Sequence, residues 1–192
     1  MLKELHFWLN RYASARLLVL LLMILIPLLL ALNFVDLPFS IPRIKALSGG
    51  VSILDLEFYY SVDTAYRHLT AYGPEGRRLY AWGLLTVDMV LPALMFLTLA
   101  VALTLTGRRQ AGKSWLPLLN LLPLIVMVSD YLENAAILTM LGNYPHQLII
   151  VGTLSGIFTL SKQVSTLACL ALILWGNVRA WWNMISVPIL PR

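Results

Sequence analysis

Apolar positions in this chain are gathered into four long runs separated by polar, proline- and glycine-bearing stretches. The runs cover residues 17–35, 79–106, 115–141 and 148–175. A bilayer core of about 30 Å needs ~20 such residues as helix, so each run can span it. No two-residue alternation interrupts them, and backbone groups in lipid must pair within their own segment, so the predicted element is the α-helix. The expected fold is an all-α membrane protein: a four-transmembrane-helix bundle, residues 1–192 forming one membrane domain. The first run outlasts a typical signal-peptide core and has no small-x-small cleavage site after it, so it is read as an uncleaved anchor.

Residues 36–78, between the first two spans, are too many for an empty loop. Pro38, Pro42 and Gly49-Gly50 predict an irregular first part. Residues 61–72 read as a helix: Ser61 caps it, Asp63 lies in the first turn, and Gly73 stops it. Val62, Ala65, Tyr66 and Leu69 then share a face. Pro74 suits the first turn of a further helix that runs into the second span. Tyr59, Tyr60, Tyr66, Tyr72, Tyr80 and Tyr144 all fall on this side. They fit either a lid over the bundle or an amphipathic helix resting at the interface. The opening stretch, with Leu2, Leu5, Trp8, Leu9 and Tyr12, reads as an interfacial helix, and Trp181-Trp182 beside Arg179 as a tail along the membrane surface.

Composition narrows the class. Hydrophobic residues make up 59% and charged residues 12%, against about 25% charge in soluble domains. Mean hydropathy is +0.80. A soluble domain, a disordered tail and a nucleic-acid module are excluded; the net charge of +5 flanks apolar runs and forms no patch. One side of the membrane holds eight basic residues (Lys3, Arg11, Arg16, Arg108, Arg109, Lys113, Arg179, Arg192) against Glu4 alone. The other holds five (Arg43, Lys45, Arg67, Arg77, Arg78) against five acids. The positive-inside rule then puts both termini in the cytoplasm, and residues 36–78 outside, for a multi-pass protein of a bacterial inner membrane. All six tryptophans sit at or just beyond span ends, where amphipathic rings favour the headgroup level.

Candidate chemistry lies inside the runs. Ionisable residues within spans cost about 2.5–3.5 kcal/mol each and usually face a bundle interior or cavity. Asp88, Asp130, Glu133 and Lys162 are the four. At 1.5 Å per residue Asp88 and Glu133 lie about 12 Å deep, Asp130 about 16 Å and Lys162 about 21 Å. A lysine stem can bridge the difference. Asp130, Glu133 and Asn134 share one helix face, and Ser155, Thr159, Lys162, Ser165, Thr166 and Cys169 form a polar stripe on the fourth. Pro92 cannot donate to the Asp88 carbonyl, which is left as a free acceptor. The expected site therefore joins Asp88, Asp130, Glu133, Asn134 and Lys162, with Ser155 and Thr159 beside them. Arg77 and Arg78, at the mouth of the second span, bind lipid phosphate or reach toward the acids. Three acids against one lysine call for an arginine, a bound cation or a proton. Gly152 and Gly156 offer a close-approach surface for a neighbour.

Other chemistry has no motif. His6, His68 and His146 are scattered and Cys169 is the one cysteine, so no disulfide framework and no His- or Cys-based metal or haem site is expected. No cofactor is expected either: GxSxG, Walker and GxGxxG patterns are absent. Thr159-x-x-Lys162 looks superficially like a hydroxyl–lysine pair.

Two signatures carry a resemblance. Tyr72-Gly73-Pro74-Glu75-Gly76-Arg77, followed by Tyr80 and Asp88, is one; Asp130-Tyr131-Leu132-Glu133-Asn134, followed by Tyr144-Pro145 and Lys162, is the other. Over residues 52–165 they resemble an uncharacterised type of four-span bacterial membrane protein, which implies the layout and no activity. The layout alone is loosely similar to the sterol-isomerase and sigma-2 receptor type.

Three functions fit. The first is a protein that binds or acts on a lipid-like, amphipathic molecule in the outer half of the bundle; as an enzyme it would use Asp88, Asp130, Glu133 or Lys162 as acid and base. The second is an accessory subunit or assembly factor of a larger membrane complex. The third is a proton- or cation-linked transporter, as a homo-oligomer. Membrane lipids are the expected partners, and nucleic acid is not one.

Overall fold

Ser14 opens the first span: its hydroxyl accepts the Leu17 amide at 3.2 Å, one of the orphan donors of a helix start. The helix so capped is α2 (Ala15–Phe34), preceded by α1 (Leu2–Tyr12). The computed structural model describes residues 1–109 and 118–186, and among the described residues every regular element is helical. Four helical stretches are long and apolar enough to cross a membrane: α2, α5 (Gly73–Arg108), Leu119–Asn143, which contains α6 (Pro123–Asn143), and α7 (Ile149–Ser186). The chain is an all-α, multi-pass, four-span membrane protein with a short helical segment between its first two spans.

That segment has more order than its prolines and glycines suggest. Ser40 caps a short helix, α3 (Ile41–Leu47), in which Pro42 takes a position near the start where no amide donor is needed. Gly49 and Gly50 adopt φ +69° and +101° and turn the chain back. One 3-10 turn follows at Leu54–Leu56. The expected irregular stretch is thus corrected to helix, turn and 3-10 turn. Helix α4 (Val62–Ala71) starts on Ser61, whose hydroxyl accepts from the Thr64 amide, and Gly73 at φ +63° separates it from α5, with Pro74 in the first turn. These three boundaries follow the expected positions.

The inter-span segment is a folded cap on the bundle rather than a helix lying apart from it. Ile44, Leu54, Tyr60, Tyr66, Leu69 and Tyr72 are buried in one cluster with Tyr80 and Leu84 of α5 and Ile137 and Met140 of α6. Tyr66 pins the cap to the α6–α7 connection, its hydroxyl donating to the His146 carbonyl (3.0 Å) and accepting the Leu148 amide (2.7 Å). Helices α5, α6 and α7 pack mutually, α6 against α7 most extensively. Helix α2 leans on α5, and of its residues only Leu25 is buried. Lipid tails are as apolar as leucine, so nothing hydrophobic drives α2 deeper into the bundle.

The opposite end is tied by side chains. Helix α1 buries Leu9 against Phe96, Ala100 and Leu121. His6 Nδ1 donates to Asn120 Oδ1 (2.7 Å), and Asn120 donates to Thr104 (3.1 Å). Arg108 donates to the carbonyls of Ala13 and Asn10, and Arg109 to Asn177 (2.6 Å). The opening helix is therefore docked on the bundle as well as amphipathic. Trp181 and Trp182 do not begin a separate surface tail, because α7 continues through them to Ser186. The start of the third run and Trp115 lie outside the described residues.

Candidate functional site

Helical phase sets the site. Asp130 and Glu133, three apart on α6, face Lys162 on α7. Lys162 Nζ lies 2.5 Å from Glu133 Oε2 and 3.2 Å from Asp130 Oδ1. Glu133 is fully buried. Its other oxygen accepts from Thr159, whose hydroxyl is shared between Glu133 Oε1 (2.6 Å) and the Ser155 carbonyl (2.9 Å). One turn further along α7, Ser155 shares a 2.6 Å hydrogen bond with the Tyr60 hydroxyl. Thr159 thus serves Glu133 and is not aimed at Lys162 as a nucleophile would be.

A third carboxylate arrives from the cap. Asp55, on the Leu54–Leu56 turn, places Oδ1 3.6 Å from Lys162 Nζ, and its Oδ2 accepts a 2.5 Å hydrogen bond from Tyr80 of α5. Gln163, beside Lys162, holds that turn by its backbone, donating to the carbonyls of Asp55 (3.4 Å) and Glu57 (3.2 Å). Tyr72 steadies the same wall, its hydroxyl on the Ser52 carbonyl (2.8 Å) and its ring edge-on to Tyr80 with centroids 5.4 Å apart. Burial, with the Glu133 charge second, pushes the Tyr60 phenol well above its ordinary pKa, so it remains a neutral donor. One ammonium on α7 therefore gathers three carboxylates, two from α6 and one from the cap.

Asp88 makes no ion pair with Lys162 and its carboxylate meets no donor among the described residues, but it lines one cavity together with Asp130 and Lys162. Its carbonyl, freed by Pro92, faces Asn134 Nδ2 at a long 3.5 Å. Tyr131 donates to the next carbonyl, Met89, at 2.8 Å. Asn134 Oδ1 is buried without a donor. Arg77 stays in the cap, donating to the Leu69 carbonyl (2.9 Å) with its guanidinium 4.0 Å from the Tyr144 ring centre. Arg78 is exposed. Neither arginine enters the carboxylate cluster.

The cavity has a volume of about 230 Å³. Leu29, Leu32 and Asn33 of α2 form one wall, and Leu91 and Met95 of α5 another; Phe39, Ile41 and Leu56 of the inter-span segment also line it. Asp55, Asp88, Asp130, Lys162, Gln163 and Thr166 form its polar end. Every span and the cap contribute. No known family model matches the chain, and no curated protein or solved structure is significantly similar to it. What the site does must therefore be argued from its own groups.

Oxygens of Asp55, Asp130 and Glu133 lie within 4.8 Å of one another, a grouping able to hold a metal ion. Here the ammonium of Lys162 stands within 3.6 Å of all three. The cluster carries its own cation, and a metal would have to displace it. The Gly152–Gly156 surface takes the cap as a close neighbour. Gly152 faces Val62 as well as Met140, and Gly156 packs against the Tyr60 backbone. The glycines admit the cap at least as much as a helix.

Proposed function

We propose that this chain binds, or acts on, a lipid-like amphipathic small molecule at the cavity between α2 and the α5–α7 core. The observation that supports this most is the cavity's division into leucine-rich walls and one polar end at the Lys162 cluster. Small-molecule sites usually combine apolar walls with a few convergent polar groups. The volume of about 230 Å³ lies below the usual ~300–1,000 Å³, which suits a headgroup and the first carbons of a tail. As an enzyme, the chain would draw its acid and base from Asp55, Asp88, Asp130 and Glu133, with Lys162 setting their charge balance.

The test is native mass spectrometry of the full chain released from mild detergent. A single amphiphile should remain bound to the parent protein and be lost from Val87→Phe, which fills the cavity from α5. Equal retention by both proteins would place the ligand elsewhere. A second reading, proton- or cation-linked transport, is favoured by the surplus of carboxyl groups. Ion-dependent flux in liposomes would separate it from the first.

The reading includes a bacterial inner membrane with both termini cytoplasmic. It is supported by Arg11, Arg16, Arg108, Arg109 and Arg179 lying on elements joined at one end of the bundle, away from the charge-balanced cap. In a Cys169→Ser background, a cysteine replacing exposed Asn143 should react with an impermeant thiol reagent in intact cells, and one replacing Lys3 should not. The reverse pattern would invert the orientation.

A further inference from the structure

The donors and acceptors around the cavity are unequal. Among the described residues, each side-chain donor group on its wall already has at least one acceptor. Lys162 is shared by three carboxylates. Gln163 Nε2 is spent on two carbonyls, Thr166 donates to the Lys162 carbonyl (2.7 Å), and Asn33 Nδ2 to the Leu29 carbonyl (2.8 Å). Acceptors are in surplus. The half-buried Asp88 carboxylate has no donor among the described residues, and Asp130 engages Lys162 through Oδ1 alone. Three carboxyl groups share one ammonium, and a fourth, Asp88, stands on the cavity wall without a cation of its own.

A carboxylate partly shielded from water and without a donor is unfavourable, the more so when charged. An occupant that brings donors and positive charge removes that cost. One that brings a carboxylate or phosphate adds negative charge and finds, among the lining side chains, only the second Asn33 amide hydrogen uncommitted. The geometry points to an amphiphile whose polar end is a protonated amine, seated against Asp88 with its tail along Leu29, Leu32 and Met95. This rests on the cavity reading above and narrows it to one headgroup class: acidic lipids are excluded, and neutral alcohols bind less well.

Three probes of equal tail length decide between headgroups: octylamine, octan-1-ol and octanoate, each added to the full chain in a non-ionic detergent at pH 7. At about one hundred times its Kd, octylamine should raise Tm by roughly 5–10 °C. Octanol should do less and octanoate nothing. Asp88→Asn should weaken octylamine about tenfold or more and leave octanol unchanged. Should Asp88→Asn fail to fold, the ranking on the parent chain decides alone. Octanol or octanoate stabilising as much as the amine would overturn the headgroup assignment. So would an amine effect that survives Asp88→Asn. Val87→Phe separates the two levels. If it abolishes stabilisation by octanol while the amine has no advantage, the cavity stands and the amine falls. If no probe responds to Val87→Phe, both fall.

Discussion

Lys162→Met is expected to be the most damaging single substitution in the chain. Three carboxylates lie within 3.6 Å of the ammonium, and Glu133 among them is wholly buried. A buried ion pair contributes little net stability when compared with an apolar pair, because desolvation offsets the attraction. Removing one partner is different, since it leaves the other charge uncompensated, at about 3–5 kcal/mol. Here one substitution strands three acids at once, each in low dielectric and each close to the others. The expected drop in Tm is roughly 10 °C or more for a chain of this size, with low yield from the membrane. Glu133→Gln should behave oppositely. Its carbonyl oxygen can still accept from Thr159 or Lys162, two acids remain for the lysine, and the loss should be about 1 kcal/mol or less. Thermal unfolding in mild detergent checks both. A Lys162→Met protein as stable as the parent would mean the acids do not share one cation.

Gly156→Leu should be nearly as harmful for a different reason. A Cβ at this position collides with the Tyr60 carbonyl oxygen, which is backbone and cannot rotate away. The cap must then lift from α7. Tyr60 loses Ser155, and Asp55, five residues earlier, is dragged from Lys162 and Tyr80. Overpacking alone costs about 1–3 kcal/mol, and the lost contacts add to it. Protease cleavage within residues 48–61 should accelerate markedly, alongside a lower Tm. Gly142→Ala on α6 is the control: nothing lies within 4 Å of its added Cβ, so cleavage and Tm should hold or improve slightly. Unchanged cleavage in Gly156→Leu would show that the cap does not depend on this approach.

How far the chain can be read without coordinates depends on periodicity. The spans, the Asp130–Glu133 face and the polar stripe through Ser155, Thr159 and Lys162 each have a helical repeat, and all recur in the structure. Ser61, Gly73 and Pro74 act locally, through a cap, a positive φ and a missing amide, so they too were legible. Pro92 freed the Asp88 carbonyl as its ring requires, but which partner met it depended on where α6 placed Asn134 and Tyr131.

Asp55 is the site residue that the sequence announces least. It lies on a single 3-10 turn, with no repeat to give it a phase, and it counted as one of five balanced acids beyond the spans. A signal was present: Val51, Ile53, Leu54, Leu56 and Phe58 surround it, an apolar setting unusual for a solvated loop. Gln163 and Tyr80 give no sequence signal of their place in the cluster, because a neutral side chain announces nothing until its partner is known. The Gly152–Gly156 pair showed that something approaches closely, yet a glycine surface does not say whether helix or loop will fill it. Helix α3, seven residues long, was too short to display a face.

Coupling between Asp55 and Lys162 tests the central claim most directly, because it asks whether the cap and the bundle meet at one charge. The variants are Asp55→Asn, Lys162→Met and the pair together, unfolded thermally in the same detergent. A site shared around Lys162 requires that losing the lysine hurts less once Asp55 is neutral, with an interaction energy of about 1–3 kcal/mol. Penalties that add to within about 0.5 kcal/mol would contradict it, and would separate the inter-span segment from the buried acids.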